Sequence, residues 1–271
     1  MSPIEERLAE IEAGFDGHLS VAAMHMGTRE RVLWHPDHKK PTASVIKLPI
    51  LVHALMLERE LVLSLDEPVT LRDADKKPGS GILTQLTEGL TIPLRDALML
   101  MMAISDNTAT NLVLDRVTIE GVNNRMVGLG CLMTRLFRKV FSDGPPVSPE
   151  NARYGLGVTT ARDMLRLLRM IYDVRIGDAE VTRDIRRYLA AQQYRDGIPR
   201  LLPADYVYEG KTGAVDAVRN DVGFVTAPER GTVALVVLCS RMPHPLWTAD
   251  NPGLLTIARV AQAVVEHLLR A

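Results

Sequence analysis

The sequence predicts an α+β fold in which one antiparallel sheet is assembled from both ends of the chain, flanked by terminal helices, with an all-helical subdomain inserted between. Three observations carry this prediction. β-Branched runs cluster near the two ends, apolar residues at spacings of three and four fill the middle, and the chain opens and closes on amphipathic helical stretches.

The first residues, MSPIEERLAEIEAGF, set acidic and apolar positions at helical spacing and predict an opening helix. HLSVAAMHM and RERVLWHP then read as two strands joined through Gly27 and Thr28, a short hairpin. From Thr42 to about Tyr188 the period is helical, in KLPILVHALML, LRDALMLMMAI, NLVLDRV and TARDMLRLLRMIY. The clusters KKPGSG and SDGPPVSP interrupt it as loops. YVYEGKTGAV, NDVGFVTAP and TVALVVLCS bring back three strands separated by turn residues, and GLLTIARVAQAVVEHLLR closes the chain as a helix. Residues 1–42 with 190–271 are therefore expected to form a sheet subdomain and residues 43–189 a helical one. With no internal repeat, low-complexity tract or Gly/Ser linker, the two should share one folding unit, with the cleft at their seam.

Composition narrows the partners. Thirty-two basic against 33 acidic side chains leave a formal net charge of -1, so no electrostatic footprint points to nucleic acid or to an anionic membrane surface. The longest apolar stretch, Leu94 to Ile104, is broken by Arg95 and Asp96, and no segment reaches the length of a membrane span. A small-molecule or peptide ligand is the expectation. The N-terminus lacks the basic start and apolar run of a secretory signal, so the chain as written is expected in the cytoplasm, and in the periplasm or outside only if a signal was removed. Cys131 and Cys239 are spaced neither as a redox nor as a metal pair and are expected to be buried thiols. The seven histidines show no HExxH pattern, so no metal is expected. Gly128 and Gly130 lack the third glycine of a dinucleotide fingerprint, and no cofactor is expected either.

The chemistry is carried by three short motifs in order. In SVIK, Ser44 and Lys47 stand three apart at a helix start, so the two side chains share a face and the lysine stem can reach the hydroxyl. A serine hydroxyl is a weak nucleophile until a base accepts its proton, and lysine can be that base once burial or nearby cations lower its pKa. The pair alone is uninformative, since average residue usage produces it about once in a chain of this length. SDN at Ser105, Asp106 and Asn107, followed by KTG at Lys211, Thr212 and Gly213, changes the weight. Each of these triplets arises by chance in only about one chain in twenty. All three in this order form the signature of class A β-lactamases and penicillin-binding proteins.

From about Leu19 to its C-terminus the sequence resembles the class A β-lactamase family. The likeness extends through GSGIL, LRDALMLMMAISDNTATNLVLD, TRL, TTARDM, IPRLLP and RNDVG. It implies that Ser44 attacks a carbonyl while Lys47 takes or relays its proton, and that Ser105 hands a proton to the leaving nitrogen. Lys211 would keep a positive field beside Ser105, and Asn107 would hydrogen-bond the substrate's side-chain amide. Thr212 with Arg219 would hold a substrate carboxylate. The backbone N–H groups of Ser44 and Ala214 would form the oxyanion hole, and Asp106 would tie its loop to the surroundings. The implied substrate is a small amide or ester, a β-lactam among them.

One stretch departs from the family. The resemblance implies a glutamate shortly after TRL that positions the water for hydrolysis of the acyl-enzyme, followed by an asparagine partner. Here TRLFRKVFSDG puts Val140 at the glutamate's place, and the loop to Thr159 is lengthened. Asp143 or Glu150 on that loop is the candidate substitute for the deacylating base. Three outcomes stand open: a β-lactamase-like amide hydrolase, a cytoplasmic esterase, peptidase or acyltransferase on another acyl substrate, or a covalent binding module that turns over little.

Overall fold

The computed structural model describes residues 1–270. Helix α1 (Pro3–Ala13) starts on a capping box in which Ser2 and Glu5 each accept from the other's backbone N–H. Strands β1 (His18–His25) and β2 (Arg31–Trp34) form the expected hairpin, with Met24 opposite Arg31. The short β3 (Lys40–Pro41) leads to a 3-10 turn at Ala43–Ile46, and α2 (Lys47–Arg59) follows directly. Ser44 thus lies in the tighter turn before the helix expected to hold it.

The middle of the chain contains β4 (Pro68–Thr70), β5 (Thr91–Pro93), α3 (Leu94–Ala103), α4 (Asn107–Val117) and α5 (Ile119–Gly128). It continues through β6 (Arg135–Leu136), α6 (Pro149–Tyr154), β7 (Gly157–Thr159), α7 (Ala161–Tyr172) and α8 (Ala179–Ala190). The segment expected to be all helical therefore carries the small strands β4 to β7, paired as β4-β5 and, with β3 from just before it, as β3-β7-β6. They are two or three residues long, too short for a period of two to register in sequence.

The last part supplies β8 (Val207–Val215), β9 (Val218–Ala227), β10 (Gly231–Ser240) and α9 (Pro252–Leu268). The main sheet is antiparallel, in the order β2-β1-β10-β9-β8, so N-terminal β1 pairs with C-terminal β10 and β8 is an edge. Both faces are covered, which explains why β1, β9 and β10 are buried almost end to end rather than alternately. Val21, Val225, Val237 and Cys239 pack with α1 and α9, whereas Ala22, Phe224, Val236 and Leu238 pack with the helical layer around α2. Both cysteines are buried and free, and burial pushes each thiol up to about 12. Among the described residues, no helix is long and apolar enough to cross a membrane.

Candidate active site

A cleft of about 740 Å³ opens where the edge strand β8 meets the helical layer. Ser44, Ser105, Asn107, Thr212, Ala214 and Arg219 all line it. Residues separated by more than 170 positions in sequence are thus gathered at one mouth. The Ser44 turn is clamped against β8, because a Cβ added to Gly213 would stand 2.9 Å from the Thr42 carbonyl oxygen and 3.0 Å from the Ser44 and Val45 nitrogens. Only glycine permits this approach of two backbones. From β9, Asn220 donates to the Pro41 and Thr42 carbonyls at 2.8 and 3.1 Å, holding the same turn from behind. Ala43 (φ 43°) and Ser105 (φ 57°) both occupy the left-handed region that L side chains avoid. Strain of this kind persists only where surrounding contacts fix it, as they do here.

Lys47 lies fully buried below the cleft floor. Its Nζ donates to the Ser105 carbonyl at 2.8 Å, the Ser105 hydroxyl at 3.0 Å and the Asn107 Oδ1 at 3.0 Å. All three acceptors are neutral oxygens. Desolvation first, and then the charge of Lys211, hold its ammonium well below the usual lysine range, with Asp106 opposing. Lys211 is also fully buried and donates to the Thr212 carbonyl at 2.9 Å. Burial brings its pKa down to about 7, opposed by Asp221. Asp221 is itself raised to about 6 by burial, against hydrogen bonds from Tyr208 and from the Ile198 N–H.

The SDN turn is pinned by its middle residue. Asp106 caps α4 by accepting from the Ala109 N–H at 2.8 Å, while its other oxygen accepts from the N–H groups of Ile82 and Leu83 at 2.7 and 2.9 Å. Asp106 therefore ties its own turn and the start of α4 to the segment at Ile82 and Leu83. Asn107, at the first position of α4, donates to the Pro78 carbonyl at 2.9 Å while accepting from Lys47.

At the other end of the cleft, Arg219 stands opposite Ala214 in the β8-β9 register. Its guanidinium donates to the carbonyls of Val215, Val218 and Leu246 at 2.6 to 2.7 Å and lies 4.4 Å beneath the Trp247 ring. No carboxylate is paired with it among the described residues, so a buried cation faces the cleft with N–H groups to spare.

The loop after TRL has a definite seat. Asn111 on α4 clasps Val140 by its backbone, donating to the Val140 carbonyl and accepting the Val140 N–H, both at 2.9 Å. Val140 is buried, and its exposed neighbour Phe141 lines the cleft beside Gly79. The expectation for Glu150 is corrected here. It sits in the first turn of α6, outside the cleft lining, paired with Lys39 Nζ at 2.8 Å. That hydrogen bond lowers its pKa and makes it a weaker base. Asp143 likewise does not line the cleft. Sequence reasoning did not find Tyr194, Asp196 or Trp247 at the mouth. They lie on irregular segments without a motif, and only an aromatic residue in a Pro-rich loop hinted at Trp247.

A serine on a strained turn, a buried lysine with a depressed pKa beneath it and an open strand edge define the architecture of the penicillin-recognising serine hydrolases. The chain belongs to the β-lactamase enzyme family, whose model matches residues 3–268. A β-lactamase of Streptomyces fradiae is 29% identical over 285 residues, spanning 98% of this chain and 86% of the relative. The crystal structure of a β-lactamase from Sphaerobacter thermophilus superposes with a TM-score of 0.87 at 29% identity, covering 98% of this chain and 97% of the other. The structure of PBP-A, at 21% identity and a TM-score of 0.84 over 98% and 96% of the two chains, shares the fold.

Proposed function

We propose that this protein is an acyl-transfer hydrolase that forms an acyl-enzyme at Ser44 with a small amide or ester, a β-lactam among its substrates, and releases the acyl group slowly. The observation that carries the reading is Lys47, a fully buried lysine held by neutral oxygens and depressed in pKa, below the cleft that Ser44 and Ser105 line. Deprotonated Lys47 accepts the Ser44 proton as Oγ bonds to the substrate carbonyl carbon. The charge that develops on the carbonyl oxygen is met by the backbone N–H groups of Ser44 and Ala214, where one donor is worth about 2.7 to 4 kcal/mol of barrier. Ser105, bonded to Lys47 at 3.0 Å, passes the proton on to the leaving nitrogen as the acyl–nitrogen bond breaks. Thr212 and Arg219 receive a carboxylate on the leaving-group side, with the buried Lys211 adding a positive field, and Asn107 receives an amide on the acyl side.

Slow release follows from the loop. Where hydrolysis of the acyl-enzyme calls for a general base, this loop gives the cleft the apolar ring of Phe141, with Val140 buried beside it, and Glu150 is paired with Lys39 outside the lining. Lack of a positioned base slows a step by roughly a hundredfold to ten-thousandfold. The test is a chromogenic β-lactam added to wild type and to Ser44→Ala, followed by absorbance and intact mass. A stoichiometric burst with a persistent adduct on Ser44 is expected. Fast sustained turnover would refute slow release, and an adduct that survives Ser44→Ala would refute the nucleophile.

A further inference from the structure

At the opposite edge of the main sheet from β8, a cavity of about 120 Å³ lies between β2 and α7. Four arginines line it, Arg31 from β2 and Arg162, Arg166 and Arg169 from α7, over the apolar side chains of Met24 and Leu33. The spacing of four and three along α7 puts its arginines on one helix face. Only Arg162 has a carboxylate partner among the described residues, Asp37 at 2.6 Å. Of the other acids close by, Asp173 pairs with Arg29, and Asp163 accepts from the Met133 N–H and the Thr134 hydroxyl while the charge of Arg166, whose guanidinium lies against Gly130, also acts on it. Arg31, Arg166 and Arg169 make no side-chain hydrogen bond or ion pair among the described residues, and the Arg169 Nε is fully covered without an acceptor.

Arg31, Arg162 and Arg166 are exposed and Arg169 is half-buried, so water reaches most of the cluster and the covered Arg169 Nε is its one unmet donor. Several guanidiniums around one small cavity present forked N–H donors of one sign of charge to it. A covered N–H without an acceptor adds the cost of its lost hydration. That cost vanishes if an anion supplies the acceptor, and the remaining guanidiniums can bond to the same ion. A lone carboxylate would answer one of the three charges. A doubly charged tetrahedral oxyanion answers more of them, and its oxygens match the forked N–H pairs of several guanidiniums at once.

We propose that the β2–α7 cavity is a binding site for a phosphoryl group, as free phosphate or on a small phosphorylated molecule. It is separate from the Ser44 cleft and does not depend on the acyl-transfer reading. The test is calorimetric titration and thermal unfolding of the full chain with inorganic phosphate, phenyl phosphate, sulfate and acetate at one ionic strength. Wild type is compared with the double variant Arg166→Gln/Arg169→Gln and, on the other wall, with Arg31→Gln. Phosphate and sulfate are expected to bind and raise Tm, and acetate is not. The double variant should weaken binding by at least about tenfold, the scale of one charge-assisted hydrogen bond, and Arg31→Gln should also weaken it. Phosphate without phenyl phosphate marks the free ion as ligand, and both together mark a phosphate ester; either supports the site. Equal binding by wild type and both variants would put the anion elsewhere and overturn the proposal. So would a phosphate response no larger than that to chloride, or binding to RNA or anionic vesicles without binding of phosphate.

Discussion

Substituting Gly213 by alanine tests whether the position of Ser44, the proposed nucleophile, depends on the approach of β8. The added Cβ would meet three backbone atoms, the Thr42 oxygen at 2.9 Å and the Ser44 and Val45 nitrogens at 3.0 Å. Ordinary contact begins near 3.4 Å, so strand and turn must separate by about 0.5 Å, the difference between 3.4 and 2.9 Å. None of the three atoms belongs to a side chain that can swing aside. Overpacking of this kind costs about 1–3 kcal/mol of stability, within what a domain of this size tolerates. The larger effect falls on rate, since the Ser44 and Ala214 N–H groups would move apart and misplacement by about 1 Å can cost a hundredfold. Gly213→Ala is therefore expected to slow acylation by roughly ten- to a hundredfold while Tm drops by only a few degrees. Stopped-flow acylation with a chromogenic β-lactam, together with a thermal melt, reads both. Acylation within twofold of wild type in a folded variant would show that the clamp does not set the nucleophile.

Three further outcomes follow from the same geometry. Lys211 loses its proton at about 7 in the folded protein but at about 10.5 when unfolded, so acylation of anionic substrates should decline as pH rises through about 7. Between those values the unfolded chain binds more protons, so this group makes stability increase with pH; a pH-rate profile beside urea melts from about pH 6 to 10 checks both signs. Val140→Glu leaves the Asn111 clasp on the backbone intact and restores a carboxylate at the position where the family resemblance implies the deacylating glutamate, next to cleft-lining Phe141, so deacylation should rise by at least about tenfold, with some loss of Tm because the site is buried. An adduct lifetime by mass spectrometry that does not shorten would refute the place assigned to Val140. Asn111→Ala removes both hydrogen bonds of the clasp and should cost about 1–3 kcal/mol, measured by denaturant unfolding, with the acylation rate little changed.

The sequence was most legible where chemistry imposes residue types in a fixed order. Ser44, Lys47, Ser105, Asn107, Lys211, Thr212 and Arg219 could be named from short strings, and the structure brings them to one cleft or directly beneath it. The sheet built from both termini and the edge position of β8 could also be read, because long β-branched runs declare themselves. Tertiary bracing could not be read. Asn220 lies in a quoted stretch, yet nothing local says that its amide reaches back to Pro41 and Thr42. Tyr194, Asp196 and Trp247 reach the mouth on loops whose course depends on packing rather than on a period. Glu150 shows the reverse error, since a carboxylate on the expected loop was credited with a reach that its pairing with Lys39 denies it.

The strand order has a consequence for how the molecule comes into being. β1 is among the first segments synthesised, yet its partner β10 spans Gly231–Ser240, near the end of the chain. During synthesis β1 can pair only with β2 until more than 200 residues have followed it, leaving one edge open to stray contacts. Contacts of such long separation in sequence close slowly. Ser44 and its turn meet β8 only in the same late step, so acylation competence should appear last in refolding, after the helical signal has recovered.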